Sequence, residues 1–352
     1  MKKVLYLTNT EVPYRVRFFN ELAKYCDLTV LYERERSANR NQAWASSVQR
    51  NFRVEYLKGL KIGNENAFSL GILKEIFSKY DSIIVGCYNS PVQMLAILVM
   101  RLFRIPYLLN LDGEPFLQGN VLKAKLKRFF VSGAEKYLVA GEQAAQSLKK
   151  AIGEKKKIIP YYFSSLSEEE LQANGAAARE DRSDAILVVG QYFDYKGMDV
   201  ALEAARMDKT LRYKFVGMGG RTEQFRQDHE IPDNVELIPF LQKRELEEEY
   251  KSCAMLVLPS RQECWGLVIN EAASFGMPIV STWGSGAAVE FLSRDYPQYL
   301  AQPGDGEGLL RCITALKCAN NRQEYENDLR KISGNYSIEK SVWVHMEQIE
   351  NG

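Results

Sequence analysis

The chain has 352 residues, of which 46% are hydrophobic and 26% are charged. This composition is typical of a globular protein long enough for two domains. No apolar run reaches the roughly 18 residues of a membrane-spanning helix, and the six cysteines are scattered without a C-x-x-C pair. The chain has only two histidines, His229 and His345, which disfavours a histidine-based metal site or a Ser-His-Asp triad.

The net charge of +1 is divided unevenly along the chain. Residues 1–165 contain 26 Lys and Arg against 14 Asp and Glu, a net of +12, whereas residues 166–352 contain 20 against 31, a net of −11. Such asymmetry indicates an anionic surface as a partner of the first half.

Apolar runs alternate with helical patterns through the first half, which predicts an α/β class with parallel sheets. We expect strands at residues 4–7, 28–32, 82–85 and 107–111, and helices at residues 16–24, 70–79 and 92–102. A polar stretch, residues 165–184, then separates the two halves.

A second alternating series follows the polar stretch. Its predicted strands are residues 186–190, 213–216, 235–239, 255–258 and 279–282, and its predicted helices are residues 199–205, 221–228, 244–252 and 269–275. A last helix is expected at residues 337–349. The expected organisation is a first domain at 1–165, a linker at 166–184, a second domain at 185–335 and a C-terminal helix within 336–352.

Two glutamates in residues 257–290 form the most informative pattern. Glu263 follows an apolar strand in a loop, and Glu271 lies in the first turns of the next predicted helix. Both carboxylates can therefore point into the crevice at the carboxyl ends of parallel strands, where open α/β sheets bind ligands. The helix N-terminus adds an anion site, so the segment offers two acceptors for hydroxyl groups and a cradle for phosphate, as a nucleotide sugar requires.

The order of residues in this segment resembles the signature of the retaining glycosyltransferases of family four, which have the GT-B fold. The residues that carry the resemblance are Glu263, Glu271, Ala272, Ala273, Gly276, Pro278 and Val280. The resemblance implies two Rossmann-like domains facing a cleft, with the C-terminal helix crossing back to the first domain. It also implies that Glu263 is catalytic and contacts sugar hydroxyls near the reacting carbon, and that Glu271 binds the nucleotide ribose.

Residues 186–205 resemble the first strand and loop of the family's nucleotide domain. Gly190 ends the strand, and Lys196 is expected to pair with the diphosphate. Gln191 stands where the family usually has arginine, so one phosphate-binding charge is missing. Arg261 is our candidate for the second charge, and a solvated Lys196 is the alternative interpretation.

Further backbone groups complete the predicted donor site. Gly217 and Gly219 lie in a turn that allows close approach to a ligand, although a plain turn is the alternative. The N–H groups around Trp265, Gly266 and Leu267 are expected to bind the diphosphate. No D-x-D sequence occurs, so we expect no metal and no cofactor, with lysine and the helix dipole stabilising the leaving group.

The first half offers two candidate side chains for the acceptor. Arg15 lies in a Pro-Tyr-Arg sequence similar to that of capsule and O-antigen members of the family, and a solvated arginine is the alternative. Asp112 follows a predicted strand, where it could be catalytic by orienting an acceptor hydroxyl or could serve as a simple turn residue.

Residues 122–131 form a basic amphipathic pattern with four cations, Lys123, Lys125, Lys127 and Arg128. Such a helix lies on an anionic membrane or packs against a core with a solvated basic face, and the +12 charge of this half favours the membrane.

Together these patterns predict a cytoplasmic enzyme, peripheral on the inner face of the cytoplasmic membrane. It would move a sugar from a UDP- or GDP-sugar to a glycan or lipid-linked acceptor in polysaccharide biosynthesis, without nucleic acid. A GT-B epimerase and a non-catalytic nucleotide-sugar-binding partner subunit remain the alternatives.

Overall fold

The computed structural model of the protein describes residues 1–34, 49–62, 66–113, 121–177 and 182–351. The chain forms two compact units. The first comprises Met1–Ser165 together with Ile338–Gly352, and the second comprises Leu166–Ser337. Each unit is built around a parallel sheet with helices between its strands, which confirms the predicted α/β class.

The first unit contains a seven-stranded sheet with the order β3-β2-β1-β6-β7-β8-β9 and a separate antiparallel pair, β4 and β5. Its strands are β1 (Lys3–Thr10), β2 (Asp27–Arg34), β3 (Arg53–Tyr56), β4 (Leu60–Ile62), β5 (Asn66–Phe68), β6 (Ser82–Val85), β7 (Leu108–Leu111), β8 (Lys136–Ala140) and β9 (Lys157–Tyr161). Its helices are α1 (Pro13–Leu22), α2 (Ile72–Ile76), α3 (Pro91–Phe103), α4 (Val121–Val131), α5 (Glu142–Ile152) and, from the C-terminus, α14 (Ile338–Glu350).

Strands β3, β8 and β9 were not predicted, and the first residue of β8, Lys136, is a buried cation. Lys136 is 5% exposed, yet its ammonium donates to the carbonyls of Gln348 and Asn351 at 3.1 Å. Burial lowers the pKa of Lys136. The cation is accommodated because the last carbonyls of helix α14 are free acceptors at a negative dipole end.

Helix α14 returns to the first unit, as predicted, and packs against α1 and β9. Its apolar side, including Val342 and Ile349, is buried. Lys2 donates to the carbonyl of Ile349 at 2.9 Å, so a second lysine caps the helix end.

The second unit contains a six-stranded parallel sheet with the order β12-β11-β10-β13-β14-β15. Its strands are β10 (Ala185–Val189), β11 (Arg212–Val216), β12 (Val235–Ile238), β13 (Met255–Leu258), β14 (Ile279–Thr282) and β15 (Leu300–Ala301). Its helices are α6 (Glu168–Ala176), α7 (Met198–Met207), α8 (Thr222–Asp228), α9 (Lys243–Ser252), α10 (Leu267–Ser274), α11 (Gly286–Leu292), α12 (Gly306–Lys317) and α13 (Arg322–Ser333).

Helix α6 lies within the stretch 166–184 that the sequence analysis interpreted as a linker. Its N-terminus is a capping box in which Ser167 and Glu170 each bond the other's backbone N–H. This S-x-x-E spacing is a helix-start signal that the sequence itself carries. The helix belongs to the second unit, where Asn174 bonds Ser274 of α10 at 2.8 Å.

Candidate active site

The strand order of the second unit reverses at β10. The chain runs from β10 outward to β11 and β12, and then returns to place β13 on the other side of β10. Ligands of open α/β sheets bind at such a switch point, beyond the carboxyl ends of the strands. The loops that follow β10 and β13 leave the sheet at this point. The first contains Gly190, Gln191 and Lys196, and the second contains Arg261, Glu263 and Gly266.

These two loops are joined through the backbone of Tyr195. Its carbonyl accepts hydrogen bonds from the N–H groups of Arg261 at 2.9 Å and Gln262 at 3.1 Å. Gly197 adopts a left-handed conformation with φ of 67°, and a Cβ at that position would collide with the carbonyl oxygen of Pro259. Glycine at 197 therefore permits the loop contact that brings Lys196 to the second loop.

Lys196 and Glu263 form an ion pair across the two loops. Their side chains are only 22% and 17% exposed. The backbone of Glu263 is held on both sides, because its N–H donates to the Gly284 carbonyl at 2.8 Å and its carbonyl accepts from Gly286 at 3.1 Å. The predicted phosphate cation and the predicted sugar-contacting carboxylate are thus adjacent at the switch point.

Arg261 is engaged by a different carboxylate. Its guanidinium makes a bidentate contact with Asp199 at 2.7 and 2.5 Å and donates to the Asp194 carbonyl at 2.9 Å. Burial raises the pKa of Asp199, but the bonds and charge of Arg261 outweigh this effect, so the pKa lies below its ordinary value. Arg261 therefore braces the loop after β10 in this structure, and the neighbouring Gln191 is half-buried and carries no charge.

Helix α10 begins beside Glu263. Gly266 precedes it with φ of 101°, and a Cβ there would lie 3.1 Å from Leu258 and 3.3 Å from Cγ of Glu263. No side-chain cap is formed at this helix start, which is followed by the half-buried Leu267. The first-turn N–H groups of an uncapped helix are suited to an anion.

Trp265 contributes to the core of the second unit. Its side chain is buried, and the indole N–H donates to Asn270 at 2.8 Å. Its carbonyl accepts from the N–H of Ala287 at 2.8 Å. The buried indole of Trp265 thus stabilises the start of α10.

Glu271 lies half-buried on α10 and accepts a hydrogen bond from the Tyr250 hydroxyl at 3.0 Å. Burial, followed by the charge of Glu271, raises the pKa of Tyr250 well above its ordinary value. The phenol therefore stays protonated and orients the carboxylate. No sequence motif indicated Tyr250, which lies 21 residues away from Glu271.

The glycine turn after β11 packs its backbone against the end of β10. Gly217 has φ of 101°, and a Cβ at that position would lie 3.4 Å from the Gly190 carbonyl oxygen. The N–H groups of Gly217 and Gly219 donate to the carbonyls of Ile238 at 3.2 Å and Pro239 at 2.6 Å. The turn is thereby fixed beside the switch point.

Asp112 and Arg15 form an ion pair in the first unit. Arg15 is 5% exposed, which excludes the solvated arginine considered as the alternative. Burial opposes its charge, but Asp112 and nearby tyrosines outweigh burial and raise the pKa of Arg15. The Tyr161 hydroxyl also donates to Asp112 at 2.9 Å, a contact that no sequence motif indicated.

Within the parts of the chain that the structure describes, no group of three or more His, Cys, Asp and Glu is placed to hold a metal ion. Among the same residues, no helix has the length and apolar character that crossing a bilayer requires.

The two parallel-sheet units and the returning C-terminal helix define a GT-B fold. The crystal structure of Alr3699/HepE from Anabaena in complex with UDP and glucose shares this fold, with a TM-score of 0.74 over 100% of both chains at 15% identity. Residues 172–333, nearly the whole second unit, match the family described as "Glycosyl transferases group 1". This match covers 162 of the 352 residues, so the second unit is similar to the glycosyl transferases group 1 family.

Two curated relatives are similar over parts of the chain. An uncharacterized glycosyltransferase of Haemophilus influenzae is 29% identical over 182 residues, 49% of this chain and 50% of the relative. The uncharacterized glycosyltransferase MJ1178 of Methanocaldococcus jannaschii is 25% identical over 289 residues, 79% of this chain and 77% of the relative. The chain therefore spans about half the length of the first relative and about three quarters of the second.

Proposed function

We propose that the protein transfers a sugar from a nucleoside diphosphate sugar to a glycan or lipid-linked acceptor, with retention at the anomeric carbon. The observation that carries this proposal is the adjacency of Lys196, Glu263 and the uncapped start of α10 at the switch point of the second unit. This segment lies within the family match. Because UDP and glucose are bound in the HepE structure, UDP-sugars are the first donors to test.

Each group has a distinct role in the proposed reaction. Lys196 and the first-turn N–H groups of α10 bind the diphosphate and stabilise the charge that develops as it leaves. Glu263 accepts hydrogen bonds from hydroxyl groups of the transferred sugar. Glu271, oriented by Tyr250, accepts from the ribose hydroxyls.

The proposed reaction needs no divalent cation. The chain has no D-x-D sequence to bridge a metal to the diphosphate. Lys196 and the positive end of α10 supply fixed positive charge at the same place. This charge stabilises the leaving diphosphate, as a bound metal does in other transferases.

On the acceptor side, we propose that the first unit binds an anionic membrane surface through what we call the α3–α4 surface. It consists of exposed apolar side chains of α2, α3 and α4, which are Phe77, Leu98, Leu102, Phe103, Leu126 and Phe129. Phe77 packs edge-on against Phe103 at 5.2 Å. Phe130 of α4 is buried, so the helix is anchored while Leu126 and Phe129 stay outside.

Cations surround this apolar surface. Arg101 lies over the Phe129 ring at 4.0 Å, and Arg104, Lys123, Lys125 and Arg128 are exposed. Apolar side chains rimmed by cations match the interface of an anionic bilayer, where each cation contributes about 1 kcal/mol before salt screening. A lipid-linked acceptor would be concentrated on that bilayer.

Co-sedimentation with vesicles tests the membrane proposal. The wild type should bind phosphatidylglycerol vesicles at low salt, bind neutral vesicles weakly, and be released by high salt. Replacement of Lys123, Lys125, Lys127 and Arg128 by Gln should abolish this binding and leave UDP affinity unchanged. Equal binding of the wild type and this variant would contradict the proposal.

A donor-turnover assay tests the transfer reaction itself. We expect release of UDP from a UDP-sugar when membranes containing lipid-linked oligosaccharide are added, and its loss in Lys196→Ala. Lys214→Ala is the matched control, because Lys214 pairs with Glu249 at 2.8 Å within the same unit. Binding of UDP-sugar with no turnover on any acceptor would favour the non-catalytic partner and contradict the proposal.

A further inference from the structure

The interior of the first unit contains a polar network that links the C-terminal helix to Asp112. Its members Tyr6 of β1, Asn110 of β7, Tyr161 of β9 and His345 of α14 are all buried. Asn110 and His345, which are in contact, are 235 residues apart in the sequence. A buried polar group that lacks a hydrogen bond costs free energy. Each member of the network therefore favours the geometry that keeps its hydrogen bonds.

His345 connects α14 to β7 through one ring nitrogen, and its other nitrogen faces α14 itself. Nε2 lies 2.7 Å from Oδ1 of Asn110, which accepts from the ring in its Nε2–H tautomer, and Nδ1 lies 2.7 Å from the Ser341 carbonyl oxygen. Phe18 and Tyr161 pack edge-on against the ring at 4.8 and 4.9 Å. The imidazole is therefore fixed in position and in rotation.

Asn110 is hydrogen-bonded in turn to Tyr6 and Tyr161. Its amide lies 3.0 Å from the Tyr6 hydroxyl and 3.1 Å from the Tyr161 hydroxyl. The Tyr161 hydroxyl donates to Oδ1 of Asp112 at 2.9 Å, and Arg15 contacts Tyr6 at 3.4 Å and pairs with the same Oδ1. The contacts among Asn110, Tyr6, Arg15, Asp112 and Tyr161 thus form a closed ring, in which Oδ1 of Asp112 is the acceptor.

Asp112 is the most exposed member of the network. Its side chain is 30% exposed at the end of β7. Within the described part of the chain, the hydrogen bonds to Asp112 from Arg15, Asn110 and Tyr161 all end on Oδ1. Oδ2 is consequently the oxygen that can accept from a ligand hydroxyl.

We infer that His345 is a positioning residue for Asp112. The imidazole fixes Asn110, Asn110 fixes Tyr161, and Tyr161 with Arg15 fixes Oδ1, so that Oδ2 is presented in one orientation to an acceptor hydroxyl. This inference rests on the proposed transfer function, in which Asp112 serves the acceptor. The returning helix α14 then contributes to acceptor binding without itself touching the acceptor.

Two substitutions of His345 distinguish an effect of its contact with Asn110 from an effect of packing. The amide of Gln reaches the position of Nε2, so His345→Gln keeps the contact to Asn110. The shorter Asn reaches only the position of Nδ1, so His345→Asn keeps the contact to Ser341 and loses Asn110. Val344→Ala removes buried apolar atoms from the same helix and is the packing control.

Steady-state kinetics give the functional readout. We expect His345→Asn to lower kcat/KM for the acceptor about tenfold, because misplaced groups lose orientation. His345→Gln and Val344→Ala should stay within about threefold of the wild type, and UDP affinity should be unchanged in all three. Equal losses in His345→Asn and Val344→Ala would show a packing effect and overturn the inference.

A double-mutant cycle distinguishes failure of this inference from failure of the proposed function. Urea unfolding is measured for His345→Asn, Asp112→Asn and the double variant. Coupling above about twofold in the equilibrium constant supports the physical link even if the wild type transfers no sugar, in which case the proposed function alone fails. Additive effects would overturn the inference whether or not transfer is observed.

Discussion

The ion pair between Lys196 and Glu263 predicts an unusual response to one substitution. In the proposed reaction, the nucleoside diphosphate separates Lys196 from Glu263 when it binds, so part of its interaction energy is spent on breaking the pair. Glu263→Gln removes the competing charge and keeps the size of the side chain. We therefore expect tighter binding of UDP and slower sugar transfer in the same variant.

The magnitude follows from the partial burial of the pair. An exposed ion pair contributes about 0.2–1 kcal/mol, and a charged hydrogen bond in a protein about 1.5–3 kcal/mol. With 22% and 17% exposure, Lys196 and Glu263 lie between these cases. Because Gln still accepts one hydrogen bond, the expected gain is about 1 kcal/mol, which is about fivefold in UDP affinity.

Isothermal titration calorimetry with UDP measures this gain. Glu249→Gln is the matched control, since Glu249 forms an ion pair of similar burial with Lys214 in the same unit. Lys196→Ala should weaken UDP binding, and adding Glu263→Gln to it should bring no further gain. An unchanged or weaker affinity in Glu263→Gln, or a gain that persists without Lys196, would refute the reasoning.

Three further predictions concern the ribose contact, metal ions and pH. Glu271→Ala should weaken UDP binding about tenfold, by the loss of charged hydrogen bonds to the ribose, as calorimetry would show; full affinity in this variant would place the ribose elsewhere. Incubation with EDTA should leave sugar transfer unchanged, because Lys196 supplies the charge; loss of activity that Mg²⁺ or Mn²⁺ restores would contradict the metal-free proposal. Burial lowers the pKa of His345 to about 3 from 6.5, so the unfolded chain binds a proton that the folded chain excludes. Stability should therefore fall as pH falls from 6.5 toward 3, by about 1.4 kcal/mol per pH unit. Urea unfolding of the wild type and His345→Gln at pH 7, 6 and 5 measures this effect, and identical pH slopes would show that His345 does not cause it.

Much of the arrangement of the candidate donor site could be predicted from the sequence, because its parts lie in short loops beside predicted strands. Apolar runs of four or five residues predicted β10, β11 and β13, and parallel strands bring their carboxyl ends to one edge. Glycine at 197 and 266 is explained by backbone conformation, and such requirements are visible locally. The positions of Lys196 and Glu263 relative to their own strands were therefore accessible to sequence reasoning.

The sequence could not show which charges pair. Arg261 was expected to offer a charge to the phosphate, yet it pairs with Asp199, 62 residues earlier. The two residues meet because β10 and β13 are neighbours in the sheet, and strand order follows from packing of the whole unit. The burial of Arg15 and Lys136 could not be predicted for the same reason, since both cations are enclosed by residues distant in the chain.

The sequence by itself determined the alternation of strands and helices, the family signature around Glu263 and Glu271, and the C-terminal helix, whose return to the first unit only the family resemblance implied. These features depend on local periodicity, turn chemistry and the spacing of residues within one loop. Only the tertiary structure decided that His345 lies 2.7 Å from Asn110 and that, among the described residues, Arg15, Asn110 and Tyr161 all bind Oδ1 of Asp112. Hydrogen bonds and ion pairs act over a few ångströms of space, and the fold alone brings residues 235 positions apart to that distance.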